Sequence, residues 1–404
     1  MGSNPVVSTT VLTVSTRSIG IDQCSCFSFA WGSLERSGLF LIERLIGQFF
    51  FFLIYGMISG MTRVLLTGAS GYIGKHITLQ LLNQGYEVRA SVRKLSKSSE
   101  VRDAVAPHLL DNSNLDSRLT FIELDLEKDS GWDSALKGID VLMHTASPFP
   151  LTSPKDENDL IRPAVEGTLR ALRSAKNAGV KRVILTSSVA AIYGRELTSG
   201  AVAYDETMWT DVEHPVGRVA YTKSKTLAEQ AAWNFIKNEA PEIALTTINP
   251  VLVLGAPLDK NFGSSISLVE RVLNGSDPML PDLKFAIVDV RDVAKMHVDA
   301  IKSENTKNER IIASSETRSF VEIAKFLKGV YPKSKVKSAQ APTFIIRLLS
   351  LFDGSIKLIL PQLGKPMNVS GAKAQRLLGI SFIPVEVTLK ESADYLIKNR
   401  FIKG

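Results

Sequence analysis

Cysteine and histidine are scarce in this chain of 404 residues, and neither forms a pattern that indicates a metal or redox centre. Its two cysteines, Cys24 and Cys26, precede Met61, so the chain beyond that point can hold no disulfide, thiolate nucleophile or Cys-ligated metal. The five histidines include no HExxH motif or other close pair, so no metal site is expected. The net charge is +7 but is spread along the chain, which excludes a nucleic-acid-binding footprint.

Residues 1–60 differ in character from the rest of the chain. They begin rich in Ser and Thr, and the run Leu45–Ile58 (LIGQFFFFLIYGMI) is almost wholly apolar. A bilayer span takes about 20 apolar residues, more than this run supplies, and extending it upstream adds two charged side chains. No small-residue cleavage site follows, which argues against a secretory signal. Three interpretations stay open: a true start at Met61, with a cytoplasmic protein; membrane association through residues 39–58; or an organellar targeting segment.

From Met61 onward, short apolar runs alternate with amphipathic stretches. The predicted strands are Arg63–Thr67, Tyr86–Val92, Leu119–Glu123, Asp140–His144, Arg182–Ser187 and Ile243–Asn249, and the predicted helices include a stretch ending near Gly85, Leu160–Asn177 and Tyr221–Lys237. Repeated strand–helix alternation implies right-handed crossovers between parallel strands. The pattern therefore predicts an α/β fold with a Rossmann-type, doubly wound parallel sheet.

A glycine-rich loop follows the first predicted strand. In Gly68-x-x-Gly71-x-x-Gly74 the first glycine permits a tight turn, the second lets backbone amides approach a pyrophosphate, and the third allows close helix–strand packing. The helix that follows adds its N-terminal amides and dipole. Taken alone, such glycines also fit a tight turn without a ligand. In this context we expect the loop to contact a dinucleotide through Gly68, Ser70, Gly71, Tyr72, Ile73 and Gly74.

The second predicted strand ends in basic residues. Dinucleotide folds that use NAD place an acidic residue there for the ribose 2′-hydroxyl, whereas this chain has Arg93 and Lys94, with Lys97 close behind. A guanidinium suits a 2′-phosphate, so the cofactor is predicted to be NADP(H); a solvated basic loop is the alternative. Asp125 and Leu126, just past the third strand, are placed to meet the adenine.

A Tyr-x-x-x-Lys pattern opens a predicted helix. Tyr221 and Lys225 stand at i and i+4, so both project from one face of that helix. A free tyrosine has a pKa of about 10, and an ammonium one turn away is expected to lower it. Upstream, a predicted strand ends in Ser187 and Ser188, where a hydroxyl can hold a substrate carbonyl. In combination with the glycine loop, this order of motifs indicates proton transfer at a carbonyl.

Residues 61 to about 400 resemble an extended short-chain dehydrogenase/reductase. They are most similar to the branch that holds dihydroflavonol 4-reductase, cinnamoyl-CoA reductase and NADPH-dependent aldehyde (methylglyoxal) reductases. The likeness is carried by the segments Thr67–Gly74, Ala90–Arg93, His144–Pro148, Glu166–Thr168, Thr186–Val189, Tyr221–Trp233 and Asn249–Gly255. The resemblance implies a Rossmann domain over 61–256 and a smaller, mainly substrate-binding lobe over 257–404, with 284–300 returning to the Rossmann domain.

The resemblance also implies roles for individual residues. Ser188 would orient the carbonyl, Tyr221 would act as the acid, and Lys225 would tune that tyrosine and hold the nicotinamide ribose. Further cofactor contacts implied are Arg93 and Lys97 at the 2′-phosphate, the loop Thr145, Ala146 and Ser147, and Pro250 with Val251 beside the nicotinamide amide. The expected activity is NADPH-dependent reduction of a small aldehyde or ketone.

Other activities fit parts of this pattern. Nucleotide-sugar epimerases and dehydratases share the fold and the Tyr-x-x-x-Lys motif. They usually have the NAD-type pattern, in which the second strand ends in an acidic residue, whereas this chain has Arg93 there. A 3β-hydroxysteroid-type dehydrogenase is a further alternative, which a membrane anchor over residues 39–58 would favour. A non-catalytic NADP-sensing protein would share the fold as well. The presence of both Tyr221 and Lys225 argues against that last alternative.

Overall fold

The computed structural model describes residues 61–147, 156–197 and 200–402. The strands are β1 (Arg63–Thr67), β2 (Glu87–Val92), β3 (Leu119–Glu123), β4 (Val141–His144), β5 (Arg182–Thr186), β6 (Ala244–Pro250), β7 (Leu252–Leu254), β8 (Lys284–Asp289), β9 (Glu309–Ala313) and β10 (Glu316–Ser319). The α-helices are α1 (Tyr72–Asn83), α2 (Ser98–Val105), α3 (Leu115–Arg118), α4 (Trp132–Leu136), α5 (Asn158–Asn177), α6 (Ala190–Tyr193), α7 (Ala220–Glu239), α8 (Gly263–Leu273), α9 (Val290–Lys302), α10 (Phe320–Val330), α11 (Thr343–Leu349), α12 (Gly354–Ile359), α13 (Ala372–Leu378) and α14 (Val385–Lys398).

Seven of these strands form one parallel sheet in the order β3-β2-β1-β4-β5-β6-β9. The chain runs outward from β1 to β3 and then returns to add β4 on the other side of β1, so the topological switch lies between β1 and β4. In open α/β sheets a ligand crevice forms at this point, beyond the carboxyl ends of the strands. The predicted Rossmann-type fold is therefore confirmed.

Helices cover both faces of the sheet, which is why its strands are apolar nearly throughout. On one face, side chains of α1, α2 and α9 pack with Val64 and Leu66 of β1. On the other face, side chains of α4, α5 and α7 pack with Leu65. Successive residues of β1 thus contribute to opposite cores, as the two-residue period of a strand requires.

The remaining three strands form a second, smaller sheet. Its central strand β8 pairs parallel with β7 and antiparallel with β10. Buried side chains of α8, α10 and α14 pack against it in a core of their own. In the segment 284–300, strand β8 belongs to this second sheet, whereas side chains of α9 pack with those of α1 in a core of the central sheet.

The apolar run Leu45–Ile58 lies outside the described residues. Within the described ranges, none of the helices combines the length and hydropathy needed to cross a bilayer.

Candidate active site

The glycine loop between β1 and α1 is built so that no side chain fits at two of its positions. Gly68 has a φ of +72°, and a Cβ there would lie 2.8 Å from the backbone nitrogen of Ala146. A Cβ on Gly74 would lie 2.3 Å from the carbonyl oxygen of Gly68. The loop therefore packs against both the end of β4 and the first turn of α1, which directs the N-terminal amides of α1 toward the crevice.

A cavity of about 790 Å³ lies at the carboxyl ends of the first four strands. Among the described residues, ten of those predicted to contact the cofactor line it: Gly68, Ser70, Gly71, Arg93, Lys97, Asp125, Leu126, Thr145, Ala146 and Ser147. This volume falls within the usual range of small-molecule and cofactor sites. The structure thus brings together the glycine loop, the basic end of β2, the turn after β3 and the loop after β4.

Basic side chains gather at the β2 end of the cavity, together with one carboxylate that sequence reasoning missed. Arg93 and Lys97 are exposed there, and Glu100 of α2 also lines the cavity. Glu100 accepts hydrogen bonds from Lys75 and from Lys97, each at 2.9 Å. Desolvation raises the pKa of Glu100, but these two hydrogen bonds, together with the charge of Lys75 and a hydrogen bond with Asn261, outweigh it and lower the pKa to about 2. Its negative charge is therefore already paired.

A second group that the sequence did not single out is Thr67, the last residue of β1. Its hydroxyl oxygen accepts hydrogen bonds from the amides of Thr145 and Ala146, both at 3.1 Å, and it lies 2.9 Å from Nδ1 of His144. These contacts hold the β4 loop against the glycine loop. Burial lowers the pKa of His144 to about 4, so the imidazole is neutral at physiological pH.

The predicted catalytic residues lie close together next to this cavity. The Tyr221 hydroxyl donates to Oγ of Ser188 at 3.4 Å, a long hydrogen bond. The Lys225 ammonium donates to Oγ of Ser147 at 2.7 Å and lies 5.8 Å from the centroid of the Tyr221 ring. Because Ser147 lines the cavity, Lys225 connects the catalytic helix α7 to the expected cofactor site.

The protonation equilibria of this group differ from the sequence-based expectation. Burial raises the pKa of Tyr221, and the hydrogen bond with Ser188 offsets only part of that rise. Burial also lowers the pKa of Lys225 to about 8. The expectation of a net lowering of the tyrosine pKa was wrong, because desolvation of the phenolate outweighs the stabilising contacts in this arrangement.

Other predicted cofactor contacts do not line the cavity. The Tyr72 hydroxyl donates a hydrogen bond to the carbonyl of Gly255 at 2.8 Å. The side chains of Tyr72 and Ile73 pack against the core that contains Val64 and Leu66, and Tyr72 also packs against the core of the second sheet. The carbonyl of Pro250 accepts from the amide of Val189 at 3.0 Å, and Val251 is buried in the core. Pro250 therefore contacts the segment that carries Ser188 rather than the cavity wall.

A smaller cavity of about 30 Å³ lies between the segment after β5 and the C-terminal lobe. Its lining includes Tyr193, His214 and Gln362. Burial, together with the neighbouring Tyr221, raises the pKa of Tyr193 to about 12. The sequence leads us to expect a substrate pocket walled by three parts of the chain: the loop 148–151, which lies outside the described residues, the stretch 190–217, and the C-terminal lobe. Among the described residues, no cluster of three or more His, Cys, Asp or Glu side chains could hold a metal ion.

A parallel sheet in this strand order, a glycine loop at its switch point and a Ser–Tyr–Lys group beside it define a Rossmann-type dinucleotide-binding protein. Residues 64–313 match the model of the NAD dependent epimerase/dehydratase family. The chain belongs to this family.

Curated relatives and solved structures agree with the predicted reductase branch. The chain is 31% identical over 343 residues to "Cinnamoyl-CoA reductase CAD2" of Medicago truncatula, covering 84% of this chain and 96% of that protein. It is 32% identical over 294 residues to "Putative NADPH-dependent methylglyoxal reductase GRP2" of Candida albicans, covering 68% and 84%. The yeast methylglyoxal/isovaleraldehyde reductase Gre2, solved with NADPH, superimposes with a TM-score of 0.69 at 28% identity, covering 84% of this chain and 99% of that one. The resemblance inferred from the motifs is confirmed.

Proposed function

We propose that this protein is an NADPH-dependent carbonyl reductase that converts an aldehyde or ketone to the alcohol. The observation that carries the proposal is the grouping of Ser188, Tyr221 and Lys225 beside a cavity whose far end bears Arg93. When bound, the nicotinamide supplies the hydride, and the residues of this chain must orient the carbonyl and protonate its oxygen.

NADPH fits the residues present. The glycine loop and the N-terminus of α1 would hold the pyrophosphate, and Arg93 with Lys97 would hold the 2′-phosphate. Glu100, the carboxylate that pairs with Lys97, also pairs with Lys75, and we expect these two cations to balance its charge so that it does not repel a phosphate. The names of two relatives support this choice, since GRP2 is called NADPH-dependent and Gre2 was solved with NADPH.

The proton transfer suits reduction near neutral pH. Because burial raises the pKa of Tyr221, its phenol keeps the proton that the carbonyl oxygen requires. Ser188 would share that oxygen and hold it against the phenol. Lys225 has a pKa of about 8, so at pH 7 it is an ammonium that stabilises the phenolate left after transfer. Lys225 and Ser147 together would hold the nicotinamide ribose.

We further infer that residues 61–256 act as the nucleotide domain and residues 257–404 mainly as the substrate lobe. The core formed by α8, α10 and α14 on the second sheet supports a separate lobe, whereas β7 of the first range pairs in that sheet and β9 of the second range pairs in the central sheet. The segment 284–300 would join the two parts, because β8 pairs in the small sheet while α9 packs with α1.

Sugar-nucleotide chemistry is the second candidate. A UDP-glucuronic acid 4-epimerase from Bacillus cereus superimposes with a TM-score of 0.63 at 20% identity, which supports a shared fold alone. The basic end of β2 favours the NADPH-dependent reductase, because NAD-using members of such folds place a carboxylate there.

The test measures consumption of NADPH and NADH by the full-length chain with aldehydes, α-dicarbonyls, flavanonols and ketosteroids. We expect turnover with NADPH well above that with NADH, and a loss of about 10²–10⁴-fold in kcat for Tyr221→Phe. Tyr331→Phe is the matched control, since its hydroxyl donates to Asp394 in the small lobe, away from the cavity. Full turnover by Tyr221→Phe would refute the proposed proton donor.

A further inference from the structure

Behind the catalytic group lies a buried carboxylate that the proposed mechanism does not use. Glu229 is on α7, two turns beyond Tyr221 and one turn beyond Lys225, and its side chain is fully buried. It accepts hydrogen bonds from five groups: Ser187 Oγ (2.6 Å), Asn249 Nδ2 (2.7 Å), Arg310 Nε (2.7 Å), Thr247 Oγ1 (3.1 Å) and Trp233 Nε1 (3.3 Å). Three of these groups, Asn249 Nδ2, Arg310 Nε and Trp233 Nε1, can only donate, and the oxygens of the Glu229 carboxylate supply the acceptors that they require.

These contacts join the catalytic helix to the strands beside it. Ser187 directly follows β5, Asn249 lies near the carboxyl end of β6, and Arg310 is the second residue of β9, so a single carboxylate from α7 is bonded to residues on or next to three neighbouring strands. A buried charge is costly unless its hydrogen bonds are satisfied, so the carboxylate and its donors hold one another in a fixed geometry.

The network reaches the backbone of Ser188 directly. Asn249 Nδ2, which donates to Glu229, also donates to the carbonyl oxygen of Ser188 at 3.1 Å. The Ser188 hydroxyl lies 3.4 Å from the Tyr221 hydroxyl, at the long end of hydrogen-bond distances. A small displacement of the Ser188 backbone would therefore break the contact between the two groups that must share one carbonyl oxygen.

The other half of the network holds the segment between α6 and α7. The Arg310 guanidinium donates to the carbonyls of Met208 at 2.7 Å and Glu206 at 2.8 Å, and it lies 3.6 Å from the ring centroid of Trp209. This segment belongs to the part of the chain expected to wall the substrate pocket. The Glu229–Arg310 ion pair thus connects the catalytic helix to a candidate substrate wall.

We propose that Glu229 and Asn249 are positioning residues that set Ser188 against Tyr221, and that Arg310 fixes the adjoining 206–209 segment through the same ion pair. The proposal rests on the proposed reductase function for its kinetic consequences. Glu229 touches neither the cavity lining nor the Ser188 hydroxyl in the contacts given above, so it acts through Asn249 and Ser187.

The chain supplies a matched control at the opposite end of the same strand. Arg182, the first residue of β5, is also buried and donates to Ala244 O at 2.9 Å, Thr246 Oγ1 at 2.7 Å, Ala300 O at 2.6 Å and Thr306 Oγ1 at 3.0 Å. Like Glu229 it is a buried charged residue that makes several hydrogen bonds, but it lies at the amino ends of β5 and β6. A purely structural role would make the two networks equivalent in their effect on turnover.

The experiment compares Glu229→Gln and Asn249→Ala with Arg182→Gln and Thr306→Ala in the full chain. Each variant is measured for thermal midpoint, NADPH Kd and kcat per NADPH-binding site. We expect all four to lower the thermal midpoint. We expect only Glu229→Gln and Asn249→Ala to lower kcat, by at least about tenfold, with NADPH Kd within about twofold of the unaltered enzyme, because positioning errors of about 0.5 Å already impair a site. Asn249→Ala leaves the Glu229–Arg310 pair intact and so keeps the test decisive if Glu229→Gln does not fold.

Crystal structures of Asn249→Ala and Thr306→Ala provide a readout that does not depend on turnover. We expect the Ser188 hydroxyl to move away from Tyr221 by more than about 0.5 Å in the first and to stay in place in the second. An unmoved Ser188, or kcat losses of equal size in all four variants, would overturn the inference. If the unaltered chain turns over no carbonyl, the proposed function fails instead, and the position of Ser188 still decides the inference.

Discussion

Arg93→Gln tests the cofactor assignment at the residue that distinguishes the two nicotinamide nucleotides. The substitution keeps a polar side chain of similar length at the end of β2 and removes one positive charge from the cavity. A 2′-phosphate would lose a charge-assisted hydrogen bond, whereas the 2′-hydroxyl of NADH has no phosphate to lose. The expected result is therefore weaker NADPH binding with NADH binding nearly unchanged.

The size of this effect follows from the exposure of the site. Hydrogen bonds to charged groups contribute about 1.5–3 kcal/mol, and Arg93 is exposed, so solvent screening places it in the lower part of that range. With 1.4 kcal/mol for each factor of ten, 1.5–2 kcal/mol corresponds to a rise of about 12- to 30-fold in the NADPH Kd. The nearby Glu100 does not add to the loss, since Lys75 and Lys97 keep it paired.

The assay is fluorescence titration of NADPH and NADH into the full chain at constant ionic strength. Lys181→Gln is the control, because it removes the same charge from an exposed side chain just before β5. Lys181 lies at the amino end of its strand, whereas Arg93 lies at the carboxyl end of β2. The control substitution should change neither Kd by more than about twofold, since exposed charges beyond about 10 Å are screened. Equal weakening of both nucleotides by Arg93→Gln, or no change in either, would refute the assignment of the 2′-phosphate to Arg93.

Two further outcomes follow from the site geometry. Gly74→Ala should abolish nucleotide binding or prevent folding, because its Cβ would lie 2.3 Å from the Gly68 carbonyl oxygen. The control is Gly179→Ala, at a turn with φ +77° and open space around the Cβ. This variant should bind nucleotide normally in the same titration despite a modest loss of stability. The kcat/KM for reduction should fall as pH rises through about 8, because the Lys225 ammonium, whose pKa burial lowers to about 8, is protonated below that pH and neutral above it. A pH–rate profile from 6 to 10 checks this, and Lys225→Arg, which stays charged, should lose that alkaline limb whatever its absolute rate.

Much of the central sheet could be predicted because most of its strands are short apolar runs that are largely buried. The strands Arg63–Thr67 and Leu119–Glu123 have the predicted bounds, and β2, β4, β5 and β6 differ from prediction by a residue at one or both ends. The right-handed crossover rule predicted that these strands are parallel and form a doubly wound sheet. Local sequence therefore indicated six of the seven strands, whereas the order of the strands and the seventh strand, β9, come from the structure.

The second sheet could not be predicted in the same way. The run in β8 has the composition of a buried strand, but nothing in a single sequence tells which sheet a buried strand joins. Its partners β7 and β10 have three and four residues, too few to show a period. The pairing depends on contacts between segments about 30 residues apart, which are set by packing rather than by local pattern.

The catalytic group shows the same division between pattern and environment. Tyr221 and Lys225 could be found because a helix places i and i+4 on one face, and that periodicity is visible in the sequence. Extending it by one more turn reaches Glu229, so the spacing Tyr-x-x-x-Lys-x-x-x-Glu was a usable signal for the buried network. The pKa of Tyr221 was not accessible from spacing, because its sign depends on how far burial penalises the phenolate relative to the cations and hydrogen bonds around it. One helix that carries Tyr221, Lys225 and Glu229 would therefore position the acid and its cation directly, and the backbone of Ser188 through Asn249.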